Sequence, residues 1–179
     1  SPQSANAAGD FAGELTSVDS AKADGNIVNI SFNGGEVQGR VTFLENGIFR
    51  YNVDPTGEFE QYAKPNSSSH VARIQQQPDD SEGYTKPEAK VNDKGDTIEI
   101  TNGTVTIVFD KDTALMSVKN GENVVLEETS ALEIGDGSTV QTLAAADNEY
   151  FYGGGVQNGR FSHKGDTIRI ANTNSRVDG

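Results

Sequence analysis

The amino-acid sequence predicts an all-β fold, an antiparallel β-sandwich, from three observations. Short stretches rich in β-branched and aromatic residues recur along the 179 residues, separated by turn residues that include many of the 20 glycines. Within several of these stretches apolar and polar residues alternate, the period-two pattern of a strand with one buried face. Nowhere does a helical period persist beyond a turn or two. Regular strand spacing with turn signals in between is the pattern of two packed antiparallel sheets.

Residues 27–32, Ile-Val-Asn-Ile-Ser-Phe, form the first clear strand. Residues 39–44 and 48–53 flank Glu45-Asn46-Gly47, and in both stretches polar residues alternate with Val41, Phe43, Phe49, Tyr51 and Val53. This predicts a hairpin, since Asn and Gly tolerate the positive φ that tight turns demand. Residues 54–68 and 75–93 are rich in Pro, Ser, Gln and Asp and read as loops, with one short strand over 70–74 between them. Residues 97–100 and 104–109 surround Asn102-Gly103, and residues 115–118 and 124–127 surround Asn120-Gly121, which predicts two further hairpins. Lys94-Gly95-Asp96-Thr97-Ile98-Glu99-Ile100 returns as Lys164-Gly165-Asp166-Thr167-Ile168-Arg169-Ile170 with unrelated flanks, so it reads as a reused turn-and-strand solution and not as a duplicated unit. Residues 1–20 read as a flexible N-terminal segment, and residues 21–179 as the sandwich domain. The chain reaches Gly179 just after the polar run Asn172-Thr173-Asn174, which is expected of a domain cut ahead of a further one.

Composition excludes several function classes. A formal charge of −13 argues against nucleic acid and against anionic membrane surfaces, both of which recruit clustered Lys and Arg. The absence of Cys removes disulfides and thiolate chemistry. No apolar run approaches the roughly 20 residues of a membrane-spanning helix, so no membrane insertion is expected. The small, polar N-terminus without Met is compatible with a processed, secreted or cell-surface protein.

The candidate chemistry has plain structural alternatives. Asp79-Asp80-Ser81-Glu82 and Glu127-Glu128 read as charge in solvated loops or at strand edges. Asp110-Lys111-Asp112 offers two carboxylates but not the further ligands and glycine of a calcium loop. The two histidines, His70 and His163, fall short of the three or four ligands zinc takes, so no metal site and no cofactor is expected. Gly153-Gly154-Gly155 follows Tyr150-Phe151-Tyr152 and lacks the spacing and following helix of a phosphate-binding loop; a close backbone approach or a bend between strands fits better.

The C-terminal part resembles the N-terminal domain of glycoside hydrolase family 31, the α-glucosidase and α-xylosidase family. The resemblance rests on Phe151-Tyr152-Gly153-Gly154-Gly155-Val156-Gln157, similar to the family's aromatic-Tyr-Gly-x-Gly-Glu segment, and on Asn172-Thr173-Asn174, similar to its later Asn-Thr-Asp. The strand-like runs 105–109, 115–118 and 120–128 stand ahead of these in the family's order. It covers roughly residues 95–179. It implies a galactose-mutarotase-like sandwich ahead of a (β/α)8 barrel that carries an aspartate nucleophile and an aspartate acid/base for retaining hydrolysis, so this chain itself would hold no catalytic residue. Its partners would be the catalytic barrel of the same protein and an α-linked oligosaccharide or glycan. Asn172, Thr173 and Asn174 would be substrate-binding, since their amides and hydroxyl both donate and accept. Asn174 and Gln157 stand where relatives carry acids, which implies an altered sugar specificity, such as an α-linked galactose, N-acetylgalactosamine or isomalto-type sugar.

Two other function classes are compatible with the same residues. A free-standing carbohydrate-binding or adhesin-like sandwich would be expected to stack sugars on exposed aromatics, yet the chain has no Trp and five Tyr. A mutarotase-type epimerase would need His70 or His163 to meet a carboxylate in a cleft.

Overall fold

The computed structural model describes residues 11–57, 68–73, 85–135, 138–145, 151–155, 159–160 and 167–173. Among these, the chain is built of strands, numbered here along the sequence, in two antiparallel sheets. The larger sheet has the spatial order β15 (Thr167–Thr173), β12 (Ser138–Ala145), β11 (Asn123–Gly135), β10 (Met116–Asn120), β9 (Val105–Asp110), β8 (Thr97–Thr101) and β7 (Lys90–Asp93), with the short β1 (Gly13–Glu14) pairing separately with β11. The smaller has the order β14 (Gly159–Arg160), β13 (Phe151–Gly155), β6 (Ser68–Arg73), β5 (Ile48–Asp54), β4 (Val37–Glu45), β3 (Ile27–Phe32) and β2 (Val18–Asp24). The antiparallel sandwich expected from the sequence is the observed fold.

Alternation decides which residues enter the core. Val28, Ile30 and Phe32 of β3, Val41 and Phe43 of β4, and Phe49, Tyr51 and Val53 of β5 point inward from the smaller sheet. Ile98 and Ile100 of β8, Val105, Ile107 and Phe109 of β9, and Met116 and Val118 of β10 meet them from the larger one. Each large side chain fully buried this way contributes about 1.5–3 kcal/mol. Phe109 is the aromatic bridge between layers, edge-on to Phe32 at 5.7 Å and tilted against Tyr51 at 5.9 Å between ring centroids. Gly39 is an inward position that must stay bare, because a Cβ there would come within 2.5 Å of the Phe32 ring.

The three predicted hairpins are present as β4–β5, β8–β9 and β10–β11. Their turns differ in a way the sequence did not anticipate. Gly103 and Gly121 supply positive φ, at 96° and 63°. Neither Asn46 nor Gly47 does; β4 instead carries an irregularity between Phe43 and Glu45 that brings Glu45 opposite Ile48.

Three readings are corrected. Of the segment 1–20 expected to be flexible, residues 1–10 lie outside the described residues, and residues 11–20 are packed: Leu15 and Val18 are buried, and Asn33, at φ 55°, binds the segment down. Its Oδ1 accepts from the Thr16 N–H (2.7 Å), the Thr16 hydroxyl (3.1 Å) and the Ser17 N–H (3.3 Å), while its Nδ2 donates to the Glu14 carbonyl (2.9 Å). The loop expected over 75–93 ends in strand β7, which pairs with β8 from Lys90 opposite Thr101 to Asp93 opposite Ile98. The strand expected over 124–127 extends to Gly135, long enough for β11 to pair with β10, β12 and β1.

The two sheets are tied at one edge of the sandwich. The Ala89 N–H donates to the Gly25 carbonyl at 2.8 Å, between the lead into β7 and the β2–β3 turn. Asn102, in the β8–β9 turn, donates through Nδ2 to the Glu45 and Asn46 carbonyls of the β4–β5 turn, at 3.3 and 3.1 Å. Its Oδ1 accepts from the N–H groups of Thr104 and Val105, both at 2.9 Å. One amide therefore shapes its own turn and clamps the turn of the other sheet.

Candidate functional site

The residues singled out for sugar contact lie at the end of β15, the last strand of the larger sheet beyond β12. Pairing puts Asn172 opposite Thr139 and Thr173 opposite Ser138. Both belong to the strand, which continues past Ile170 where a loop was expected; Asn174 lies outside the described residues. Ser138 in turn faces Gly135 of β11, and Ile134 faces Gly13 of β1. The C-terminal end of β15 therefore shares one end of the sheet with the start of β12, the end of β11 and β1. Proximity to residues 13–14 had no signal in the sequence, because nothing in a two-residue strand marks its partner.

The other half of the motif is in the other sheet. Phe151–Gly155 forms β13 and pairs with β6, Phe151 opposite Arg73 and Tyr152 opposite Ala72, with an irregularity between Gly153 and Gly155. The glycine run is thus part of a strand at a point where the ladder is interrupted, as expected for glycines in a sheet. Since β2 and β7 come together at one edge of the sandwich, the β13–β14 and β12–β15 pairs lie toward the opposite edge. Val156 and Gln157 lie outside the described residues.

Two carboxylates among the described residues are buried, and each accepts a backbone N–H. Glu128, expected as charge in a solvated loop or at a strand edge, is instead buried on the interior strand β11, and its Oε1 accepts the Met116 N–H at 2.8 Å, at the start of β10. Asp54 is buried at the end of β5 and accepts from the Thr56 N–H (2.7 Å) and hydroxyl (2.6 Å). Asp110-Lys111-Asp112 is a braced turn: Asp110 Oδ1 accepts from the N–H groups of Asp112 and Thr113, and Lys111 pairs with Asp93 at 3.2 Å. Among the described residues no group of three His, Asp or Glu side chains is placed to hold a metal ion. His70 lies in β6, opposite Tyr51, and His163 lies outside the described residues.

Two surface carboxylates are shifted. Hydrogen bonds from the Thr85 hydroxyl (2.7 Å) and N–H (2.8 Å) hold Glu45 below its ordinary value. The Gly95 N–H, at 2.9 Å, and then Lys111 do the same for Asp93. Both sit at turns and ties of the fold, away from the β12–β15 end.

Comparison with known proteins gives this architecture a family. The profile of the glycosyl hydrolase 31 N-terminal galactose mutarotase-like domain matches residues 38–177, a wider span than the motifs alone suggested. No curated protein matches the chain. Among solved structures, a GH31 dextranase of Flavobacterium johnsoniae complexed with glucose is similar with a TM-score of 0.55 and 13% identity, over 73% of this chain and 15% of its own. The cycloalternan-forming enzyme of Listeria monocytogenes, in complex with a pentasaccharide substrate, is similar with a TM-score of 0.52 and 12% identity, over 76% of this chain and 12% of its own. At such identity the likeness concerns the fold, and the chain spans only a small part of either enzyme's length. With a profile match across most of its residues and the two-sheet architecture to go with it, the chain belongs to the family of glycosyl hydrolase 31 N-terminal galactose mutarotase-like domains.

Proposed function

We propose that the chain is the non-catalytic N-terminal sandwich of a retaining α-glycoside hydrolase, packing on a (β/α)8 barrel and lending the end of β15 to sugar binding. The observation that carries this reading is the family match over residues 38–177 on a sandwich of the matching fold. What supports the sugar-binding part is the resemblance of Asn172-Thr173 to the family's Asn-Thr-Asp, on a strand end that pairs with Thr139 and Ser138. The proposed substrate is an α-linked oligosaccharide, with isomalto-type glucans tested first.

The test begins with the complete product of the encoding locus, expressed and assayed on isomaltotriose and maltotriose. Hydrolysis is expected, with no turnover by the 179-residue chain alone. In the complete protein, Asn172→Ala together with Asn174→Ala is expected to lower kcat/KM about tenfold, the loss of one or two hydrogen bonds. A locus without a barrel, or turnover by the chain alone, overturns the domain assignment. Unchanged kcat/KM in the double variant overturns the sugar contact and leaves the domain assignment standing.

A further inference from the structure

The two sheets end in four strands, β2, β7, β14 and β15, and three of these carry a device that blunts an open edge. A strand with one unpaired side offers a row of N–H and C=O groups to any other strand. Proteins meet this with very short edge strands, charged side chains or local irregularities. β14 has two residues, and β7 has four, Lys90 and Asp93 among them. β2 has seven, but Asp19, Lys22 and Asp24 are charged, and its ladder to β3 is irregular between Val18 and Ser20. β15 has no such device. It too has seven residues, Thr-Ile-Arg-Ile-Ala-Asn-Thr, with Arg169 as their one charge and no Pro. Its ladder to β12 runs without a register shift from Thr167 opposite Ala144 to Thr173 opposite Ser138. Its other side is the end of the eight-stranded sheet.

Strand order indicates where a partner comes from. In the larger sheet β7 to β12 are neighbours in chain order, and β15 follows beyond β12. In the smaller sheet β2 to β6 are neighbours in chain order, followed by β13 and β14. Apart from β1, each new strand is therefore laid on the edge left by the last, and both sheets grow away from the tied edge of β2 and β7. After β15 the growing edges are β14, with two residues to offer, and β15, with seven. Strands consecutive in sequence are neighbours about two-thirds of the time. The next strand of the chain has its place on the open side of β15.

We infer that the outer side of β15 is an interaction surface, and that its partner is an extended segment of the same protein from beyond Gly179, paired antiparallel as β12 is on the other side. This rests on the reading above of the chain as one part of a longer protein. The contact is made by backbone groups, so it asks of the partner an extended run with no Pro at the bonded positions. It also bears on the sugar-binding end proposed above. Paired on both sides, Asn172 and Thr173 stand in an interior strand, and their backbone is held from two directions.

The test is amide hydrogen exchange of the complete product of the encoding locus, read residue by residue by mass spectrometry. β2 is the internal control, a strand of the same length with a strand partner on one side. Apart from Val18, which donates to the Lys111 carbonyl, the β2 amides directed away from β3 are expected to exchange near the free-peptide rate. Every amide of β15 is expected to exchange at least about a hundredfold more slowly than those. Fast exchange at alternate amides of β15 overturns the inference. So does protection that is lost on about tenfold dilution, the mark of a second copy. A crystal structure of the same protein then identifies the partner, and a segment drawn from residues 1–179 in that place also overturns the inference. A barrel enzyme with an open β15 edge overturns this inference and leaves the domain assignment standing. A locus that supplies the strand without a barrel does the reverse, and a locus that ends at Gly179 overturns both.

Discussion

β8 and β5 both read as alternating strands, yet only one of them has a half-exposed outer face. In β8 the buried Ile98 and Ile100 alternate with half-buried Thr97, Glu99 and Thr101. In β5 the inward Phe49, Tyr51 and Val53 are buried, but so are Ile48, Asn52 and Asp54 on the opposite side. Ile48 is 1% exposed and yet stands apart from the cluster between the sheets. The difference teaches that alternation identifies the face that meets the other sheet and is silent about what covers the reverse. The polar residues of β5 look solvent-facing in sequence because a carboxylate and an amide can be buried when hydrogen-bonded, as Asp54 is to Thr56.

The comparison can be broken first at the inner layer. Phe109→Ala removes the ring that meets both Phe32 and Tyr51, and is expected to cost about 3–5 kcal/mol in urea unfolding. A loss below that range would mean that the sheets are not closely packed at β9. The outer layer gives a sharper contrast. Ile48→Ala is expected to cost about 2–4 kcal/mol, as a core position would. Val108→Ala, on the half-buried outer side of β9, should cost at most about 1 kcal/mol. Equal costs would show that the two outer faces are alike.

The smallest effect is on pH dependence. Glu45, whose ordinary value is 4.5, is held lower by Thr85, and Asp93, ordinarily 3.8, is held lower by Gly95 and Lys111. A carboxyl depressed in the folded state binds its proton more readily when unfolded. Its contribution is therefore full above the unfolded value and is lost as pH falls through the folded one. Thermal unfolding followed downward from neutral pH should show the loss beginning near pH 4.5, and Glu45→Gln should flatten that part of the curve. A curve unchanged by Glu45→Gln would mean that the Thr85 tie is not formed in solution.

What was legible in the sequence follows the same physics. The three hairpins were readable because Asn-Gly pairs fall between alternating runs, even though Gly47 does not use the positive φ that made the signal plausible. β7 and most of β2 were missed because both are edge strands with few buried residues: Lys90-Val91-Asn92-Asp93 has one apolar side chain, and in β2 only Val18 is buried. The far half of β11 was missed because its ladder to β12 shifts register twice, between Glu128 and Ser130 and again between Ser130 and Glu133, which breaks the period a reader follows. At the candidate site the motif Asn172-Thr173 was visible, but its place in a strand was not. Backbone pairing with Thr139 and Ser138 sets it, and backbone groups are the same in every sequence.

The pairing of β1 with the end of β11 carries a kinetic consequence. Gly13 and Glu14 face Ile134 and Glu133, and the Leu15 N–H bonds to the Leu132 carbonyl. Closing so long a loop is entropically costly, and contacts of such separation slow folding. During synthesis the N-terminal part emerges first. Leu15 can gain its backbone partner only after the ribosome has released Leu132, so the first apolar residues made here wait for nearly all of β11. Local hairpins such as β4–β5 have no such delay. In refolding, the amides of β1 and Leu15 should be among the last to gain protection from exchange, and a chain arrested before β11 would present that apolar segment to any chaperone that samples it.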